Sequence, residues 1–190
     1  MVKIFTPTNI EESRIEIIRS AIEIARYNLN IEIAEYPQDT RATDAITSGQ
    51  NTREMVSRLM AHGYTQDEVR VFIVNKDVRT EELSWCFGAA HGKIIIISDY
   101  RIWNTVFTTE QKKAMMTYLI EHEIGHAYNA ADDIRAEGIY DMHCTDPSCA
   151  MQQVPNLASL RDKSKKVFIC REKGCFCPHC EARFRHFSRR

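Results

Sequence analysis

Apolar and polar positions switch between a period of two and a helical period as far as Asn129, and beyond it the pattern fades. Val2–Phe5 predicts a strand. Asn9 followed by Glu12 reads as a capping box. Ile15, Ile18, Ile22 and Ala25 recur at helical spacing, predicting an amphipathic helix over 10–29. Ile31–Tyr36 alternates as a strand that Pro37 closes, and the polar residues 38–51 read as a loop. Met55, Leu59 and Met60 form the apolar side of a helix over 52–62. Val69–Asn75 is a β-branched run that predicts a central strand. Trp85–Ser98 reads as two strand segments bent at Gly88–Gly92. Thr108 with Gln111 predicts the cap of a helix from about 109 to Asn129. The order β-α-β-α-β-β-α, followed by an irregular cysteine-rich tail, predicts an α+β fold: a mixed twisted sheet backed by helices. There is no internal repeat and no low-complexity segment.

At 190 residues the chain has the size of one domain, 1–190. The change in pattern divides it into an N-terminal subdomain, 1–129, and a C-terminal subdomain, 130–190. A net charge of −1 gives no reason to expect nucleic acid or an anionic membrane as the main partner. The opening MVKIFTPTNIEESRIEII has no apolar h-region, so no signal peptide is expected. Ile94–Ile97 is far too short to cross a bilayer. These features predict a soluble, cytoplasmic protein. Six of the seven cysteines fall between Cys144 and Cys180. In a reducing compartment, thiols clustered in this way more often hold metal than form disulfides.

The chemistry concentrates in MMTYLIEHEIGHAYNA, residues 115–130. His122 and His126 stand four apart and so share one helix face, with Glu123 beside them. Zinc takes neutral imidazole nitrogens in tetrahedral geometry, and a catalytic site uses three protein ligands with water as the fourth. The bound ion lowers the pKa of that water to about 7, and a carboxylate that does not itself ligate can accept its proton. The bland alternative is a helix whose histidines are ordinary core or surface residues. Two histidines are not enough for such a site, and the rest of the chain has to supply a third ligand.

Downstream, His143-Cys144-x4-Cys149-x-Met151 (HCTDPSCAM) and Cys177-x-x-Cys180 (CPHC) complete a pattern. Together with the helix motif these resemble the archaemetzincins, a metzincin-type family of zinc metallopeptidases. TDAITSGQNTREMVSRLM and WCFGAAHGKIIIISDYR also look like that family's elements before the active site. The resemblance implies a metzincin-like fold with two zinc ions. A catalytic zinc would be held by His122, His126 and His143, with Glu123 as general base and acid. A structural zinc would be held by Cys144, Cys149, Cys177 and Cys180. Met151 would be the methionine of the turn beneath the catalytic ion. The implied activity is peptide-bond hydrolysis, aminopeptidase-like or of restricted specificity, on a peptide or protein substrate.

The sequence departs from the family pattern after His126. Asn129 stands where the family helix has glycine, and asparagine also tolerates positive φ. Asp132 stands where the third histidine is expected. Either residues 130–142 are an insertion before His143, or Asp132 ligates and His143 is spare; the Cys144 framework next to His143 favours the first. Cys170 and Cys175 exceed the four thiols needed and are candidates to exchange with one of them. Cys86 reads as a buried strand residue. His91 lies beside the strand Ile94–Ile97, which by the resemblance would edge the substrate cleft, or is simply an exposed turn histidine. Tyr128 and Tyr140 are candidates to donate to an oxyanion, with packing as their default role. The tail ARFRHFSRR interleaves basic and aromatic residues, which suits nucleic acid, but a solvated C-terminus is the simpler expectation. The rival functions are a zinc-stabilised binding or regulatory protein without useful turnover and, more remotely, a zinc protein whose tail binds nucleic acid.

Overall fold

The structure, a computed structural model, describes residues 1–131, 133–134, 140–141, 143–169 and 174–189. Its frame is a five-stranded sheet made of β1 (Val2–Thr6), β2 (Ile33–Pro37), β3 (Val69–Val74), β4 (Gly88–His91) and β5 (Ile94–Ser98), in the order β2-β1-β3-β5-β4. The first four in that order run parallel, and β4 pairs antiparallel with β5 at the edge. Parallel strands are usually buried on both faces, and the isoleucine run in β5 shows this. Ile95 and Ile97 face one core together with Val71 and Ile73. Ile94 and Ile96 face a second core together with Phe72 and Val74.

The first core is closed by α1 (Glu12–Leu29) and α5 (Thr109–Ala127), which pack against each other. The second is closed by α2 (Thr40–Thr47) and α3 (Thr52–Ala61). The mixed sheet backed by helices is therefore as expected. Arg14 of α1 reaches Asp99 through a bidentate ion pair, with Nε to Oδ2 at 2.8 Å. This buried pair ties the helix to the end of β5.

Several local expectations are corrected. Residues 38–51 are not all loop: Asp39 accepts the Ala42 amide at 2.8 Å and starts α2, whose only apolar stripe is Ala42, Ala45 and Ile46. That stripe is too small to outweigh the polar residues around it. The Asn9–Glu12 box is not used, because α1 begins at Glu12 with Glu11 as its cap residue and no side-chain cap bond. Met60 is 48% exposed, and Val56 takes its expected place beside Met55 and Leu59. The bend in 85–98 falls at Gly92–Lys93, so Gly88 lies within a strand.

The tail is also more regular than its pattern suggested. It carries the two-residue strands β6 (Asp133–Ile134) and β7 (Tyr140–Asp141), α6 (Leu157–Ile169) and α7 (Pro178–Ser188), after the short α4 (Tyr100–Trp103) earlier in the chain. The basic-aromatic C-terminus is not simply solvated. Phe184 is fully buried, Arg185 Nη1 donates to the Leu29 carbonyl at 2.6 Å, and Arg183 Nε donates to the Asn129 carbonyl at 3.0 Å. Cys180 and Phe184, one turn apart, are enough to dock α7 once Tyr128 and Phe176 offer a partner surface. No helix among the described residues is long and apolar enough to cross a membrane.

Candidate metal centre and active site

The site is built on α5, whose residues 114–125 are all buried. A helix covered on every side belongs to the core and holds its side chains still. The expected capping box starts it: the Gln111 amide donates to Thr108 Oγ1, and the Thr108 amide to Gln111 Oε1. At the other end Asn129 takes φ 50°, and the Ala130 amide donates back to the Gly125 carbonyl at 2.9 Å. Asparagine thus does at this position what glycine would do.

His122 and His126 lie one turn apart, their Nε2 atoms 3.1 Å from each other. His143 arrives from the remote segment and closes a triangle, its ring centroid 5.3 Å from that of His122 and 5.0 Å from that of His126. One ring nitrogen from each of the three lies within 4.8 Å of the others. Nitrogens bound to one tetrahedral zinc at about 2.0–2.1 Å would stand about 3.3 Å apart, close to the separation of the helix pair. Burial pushes His122 down to about 4 and His126 well below the usual range, which keeps both neutral as metal ligands must be. His122 Nδ1 donates to the Ala150 carbonyl at 2.7 Å, leaving the Nε2 lone pair free. The donor set therefore fits a zinc ion.

The floor beneath the rings is the turn Cys149–Gln152. Met151 is fully buried, and a Cβ at position 125 would overlap its Sδ, so the glycine in the helix motif makes room for the turn. Tyr118 stacks on His122, and its hydroxyl donates to the Gln152 carbonyl at 2.7 Å. Beside the triad, Glu123 is 5% exposed, and burial pushes its carboxyl up to about 8. Its Oε2 has no hydrogen-bond partner among the described residues. A desolvated carboxyl with an uncommitted oxygen is a group able to exchange protons with whatever occupies the cleft.

These groups open onto a cleft of about 1290 Å³ lined by Trp85–Ala90 on one side and by Val154 and Pro155 on the other. The cleft edge is β4; Ile94–Ile97, expected to edge it, lies inside the sheet. Cys86 is not a buried strand residue. It is half-buried on the cleft wall, and burial together with the Glu123 charge pushes its thiol up to about 12. His91 ends β4 with Nε2 2.9 Å from Thr52 Oγ1, which pins the edge strand to α3 rather than leaving the ring exposed. Tyr128 lies edge to face against Phe184 and does not line the cleft, so it has the packing role. The Tyr140 side chain, Asp132 and Cys170 lie outside the described residues.

A second cluster sits next door. The sulfurs of Cys144, Cys149, Cys177 and Cys180 lie within 4.8 Å of one another, Cys144 and Cys177 at 3.7 Å. Four thiolates around one zinc at about 2.3 Å would be about 3.8 Å apart. The Asp146 amide donates to Cys144 Sγ at 3.4 Å and the Cys177 amide to Cys149 Sγ at 3.3 Å. Hydrogen bonds from Cys180 and from the Cys177 amide draw the Cys149 thiol down to about 6, against burial. Cys175 is buried outside this foursome, its carbonyl accepting from the Ala150 amide at 2.8 Å. The sequence pattern did not anticipate the contributions of Ala150 and Tyr118, because no spacing rule connects them to the histidines.

No family model matches the chain, and no curated protein matches it by sequence. Solved structures do match. An archaemetzincin from Methanopyrus kandleri superposes with a TM-score of 0.67 at 18% identity, covering 100% of this chain and 96% of that one. An archaemetzincin from Archaeoglobus fulgidus, complexed with malonate, gives 0.65 at 16%, covering 96% and 99%. A zinc-dependent peptidase from Methanocorpusculum labreanum gives 0.64 at 15%, covering 97% and 100%. At such identities the likeness is one of fold, and the fold of this chain is that of the archaemetzincin structures.

Proposed function

We propose that this chain is an archaemetzincin-like zinc metallopeptidase that hydrolyses peptide bonds. The observation that carries the reading is the triangle of neutral imidazoles from His122, His126 and His143, set beside a buried carboxyl on the floor of an open cleft. Zinc bound there supplies Lewis acidity and an acidified water. With the charge of a zinc ion beside it favouring the ionised carboxylate, Glu123 would accept the proton of the attacking water on its uncommitted oxygen and return it to the leaving amine. The Ala150 carbonyl holds the His122 tautomer. Among the described residues β4 is the outer strand of the sheet, and the main chain of an extended peptide can pair with it.

The four cysteines hold a second, structural zinc that clamps the tail to the domain. The arginines of α7 that bond Leu29 and Asn129 carbonyls support a packing role for the tail, and a peptide rather than a nucleic acid as partner. Restricted or aminopeptidase-like specificity is what the resemblance of the sequence motifs implies.

Metal analysis with a fluorogenic peptide library tests this. Two zinc ions per chain are expected, one lost in His143→Ala and the other in Cys149→Ala. Glu123→Ala should keep both ions and lose turnover. A chain that holds zinc yet cleaves no peptide would be a zinc-stabilised binding protein instead.

A further inference from the structure

The two clusters share one short stretch of chain. His143 is bonded to Cys144, and Cys149 to Ala150, whose carbonyl orients His122. Between them the Cys144 amide donates to the Met151 carbonyl at 2.8 Å, and the Gln152 amide to the Cys149 carbonyl at 3.1 Å. The inner side of this 144–152 loop, Cys149 to Met151, is buried, whereas Pro147 and Ser148 are exposed. Its buried residues Cys149, Ala150 and Met151 pack into the main core, while its outer half, Thr145 to Ser148, has no such anchor. Beyond that packing it is fastened by the contacts among the four sulfurs, the Ala150–Cys175 main-chain bond and the Tyr118 hydroxyl on Gln152.

We propose that the cysteine cluster sets the metal affinity of the histidine cluster, with the 144–152 loop as the positioning element between them. Releasing the sulfurs loosens the loop at both ends, and with them the third imidazole and the carbonyl that holds the first. Groups that orient metal ligands typically control affinity by about 10–100-fold. The coupling is reciprocal: an ion among the imidazoles tightens the cysteine site by the same factor. Tyr118 belongs to the same device, as a positioning residue that touches neither ion. This inference rests on the histidines binding metal, not on the chain being a peptidase.

The test is competitive titration of the full chain with Zn²⁺ against a chelator, with Co²⁺ spectra distinguishing thiolate from imidazole sites. Cys177→Ser, which empties the cysteine site, should weaken zinc binding at the histidines about 10–100-fold. Cys177→His, which restores a ligand at that half-buried position, should recover it. Tyr118→Phe should weaken the histidine site about 10-fold while the cysteine site keeps its Co²⁺ spectrum. Unchanged histidine-site affinity in a folded Cys177→Ser chain would overturn the proposal. Should that variant fail to fold, the reciprocal measurement decides: unchanged zinc affinity of the cysteine site in a His143→Ala chain would overturn it. Loss of coupling alone leaves the metallopeptidase reading intact, whereas a wild-type chain that takes up zinc only at its cysteines would end both.

Discussion

Gly88→Ala tests whether Glu123 is held where its chemistry requires. An ideal Cβ at position 88 stands 2.6 Å from Glu123 Oε1, 2.8 Å from its Cδ and 3.0 Å from the Ile96 carbonyl oxygen. An ordinary carbon–oxygen contact is about 3.3 Å, so the carboxyl must retreat by about 0.7 Å. The methyl cannot move the other way, because Ile96 is locked in the β4–β5 ladder opposite Ala89. Turning a buried side chain off its rotamer and overpacking the wall cost about 1–3 kcal/mol. Alanine's advantage over glycine in a strand offsets about 0.5–1 kcal/mol of that. The fold should survive, with Tm lowered by a few degrees at about 2–4 °C per kcal/mol. Turnover should suffer more, since misplacement of a reacting group by about 1 Å can cost about 100-fold. The expected result is a 10–100-fold loss of kcat with both zinc ions retained, read by fluorogenic peptide cleavage and metal analysis. Wild-type turnover would refute the close approach, and loss of zinc would show that the effect does not pass through Glu123.

Three further outcomes follow from the same geometry. Asn129→Ala should cost about 1–2 kcal/mol in denaturant unfolding, because φ 50° strains any side chain that cannot bond locally, while Asn129→Gly should be nearly neutral. Phe184→Ala should cost about 3–5 kcal/mol and release α7, since that ring is fully buried between Phe176 and Tyr128. A free, solvated tail would show no change in the melt. For the metal-free chain, the Glu123 carboxyl at about 8 lies above its ordinary 4.5. Its contribution to stability is therefore full below about pH 4.5 and is lost as pH rises toward 8, by at most about 5 kcal/mol. His122 runs the opposite way, losing stability as pH falls from 6.5 toward about 4. The Glu123→Gln variant isolates the first slope: its advantage over wild type in urea unfolding should grow steadily from pH 5 to pH 8, and an equal pH dependence in both chains would contradict the burial.

What the sequence by itself determined is local chemistry with a short reach. The four-residue step from His122 to His126 sets two rings on one face of any helix, and Thr108 with Gln111 marks where that helix begins. The β-branched runs at 69–74 and 94–98 carry their own strand preference, and Cys-x-x-Cys makes a tight knuckle wherever it occurs. Elements whose apolar stripe is only a few residues wide could not be read. α2 with Ala42, Ala45 and Ile46, α6 with Leu160, and α7 with Phe184 gain their stability from the surface they dock on rather than from their own pattern.

Tertiary structure alone decided the rest. It made the antiparallel β4, not Ile94–Ile97, the cleft edge, because strand order depends on how the connections cross the sheet. It brought His143 to the helix pair across sixteen intervening residues, set the Ala150 carbonyl against His122 Nδ1, and closed Gly88 onto Glu123. Periodicity reports which face of an element is buried, but not what buries it. The partners of a ligand, and the burial that moves the Glu123 carboxyl toward neutral pH, exist only once distant segments are packed together.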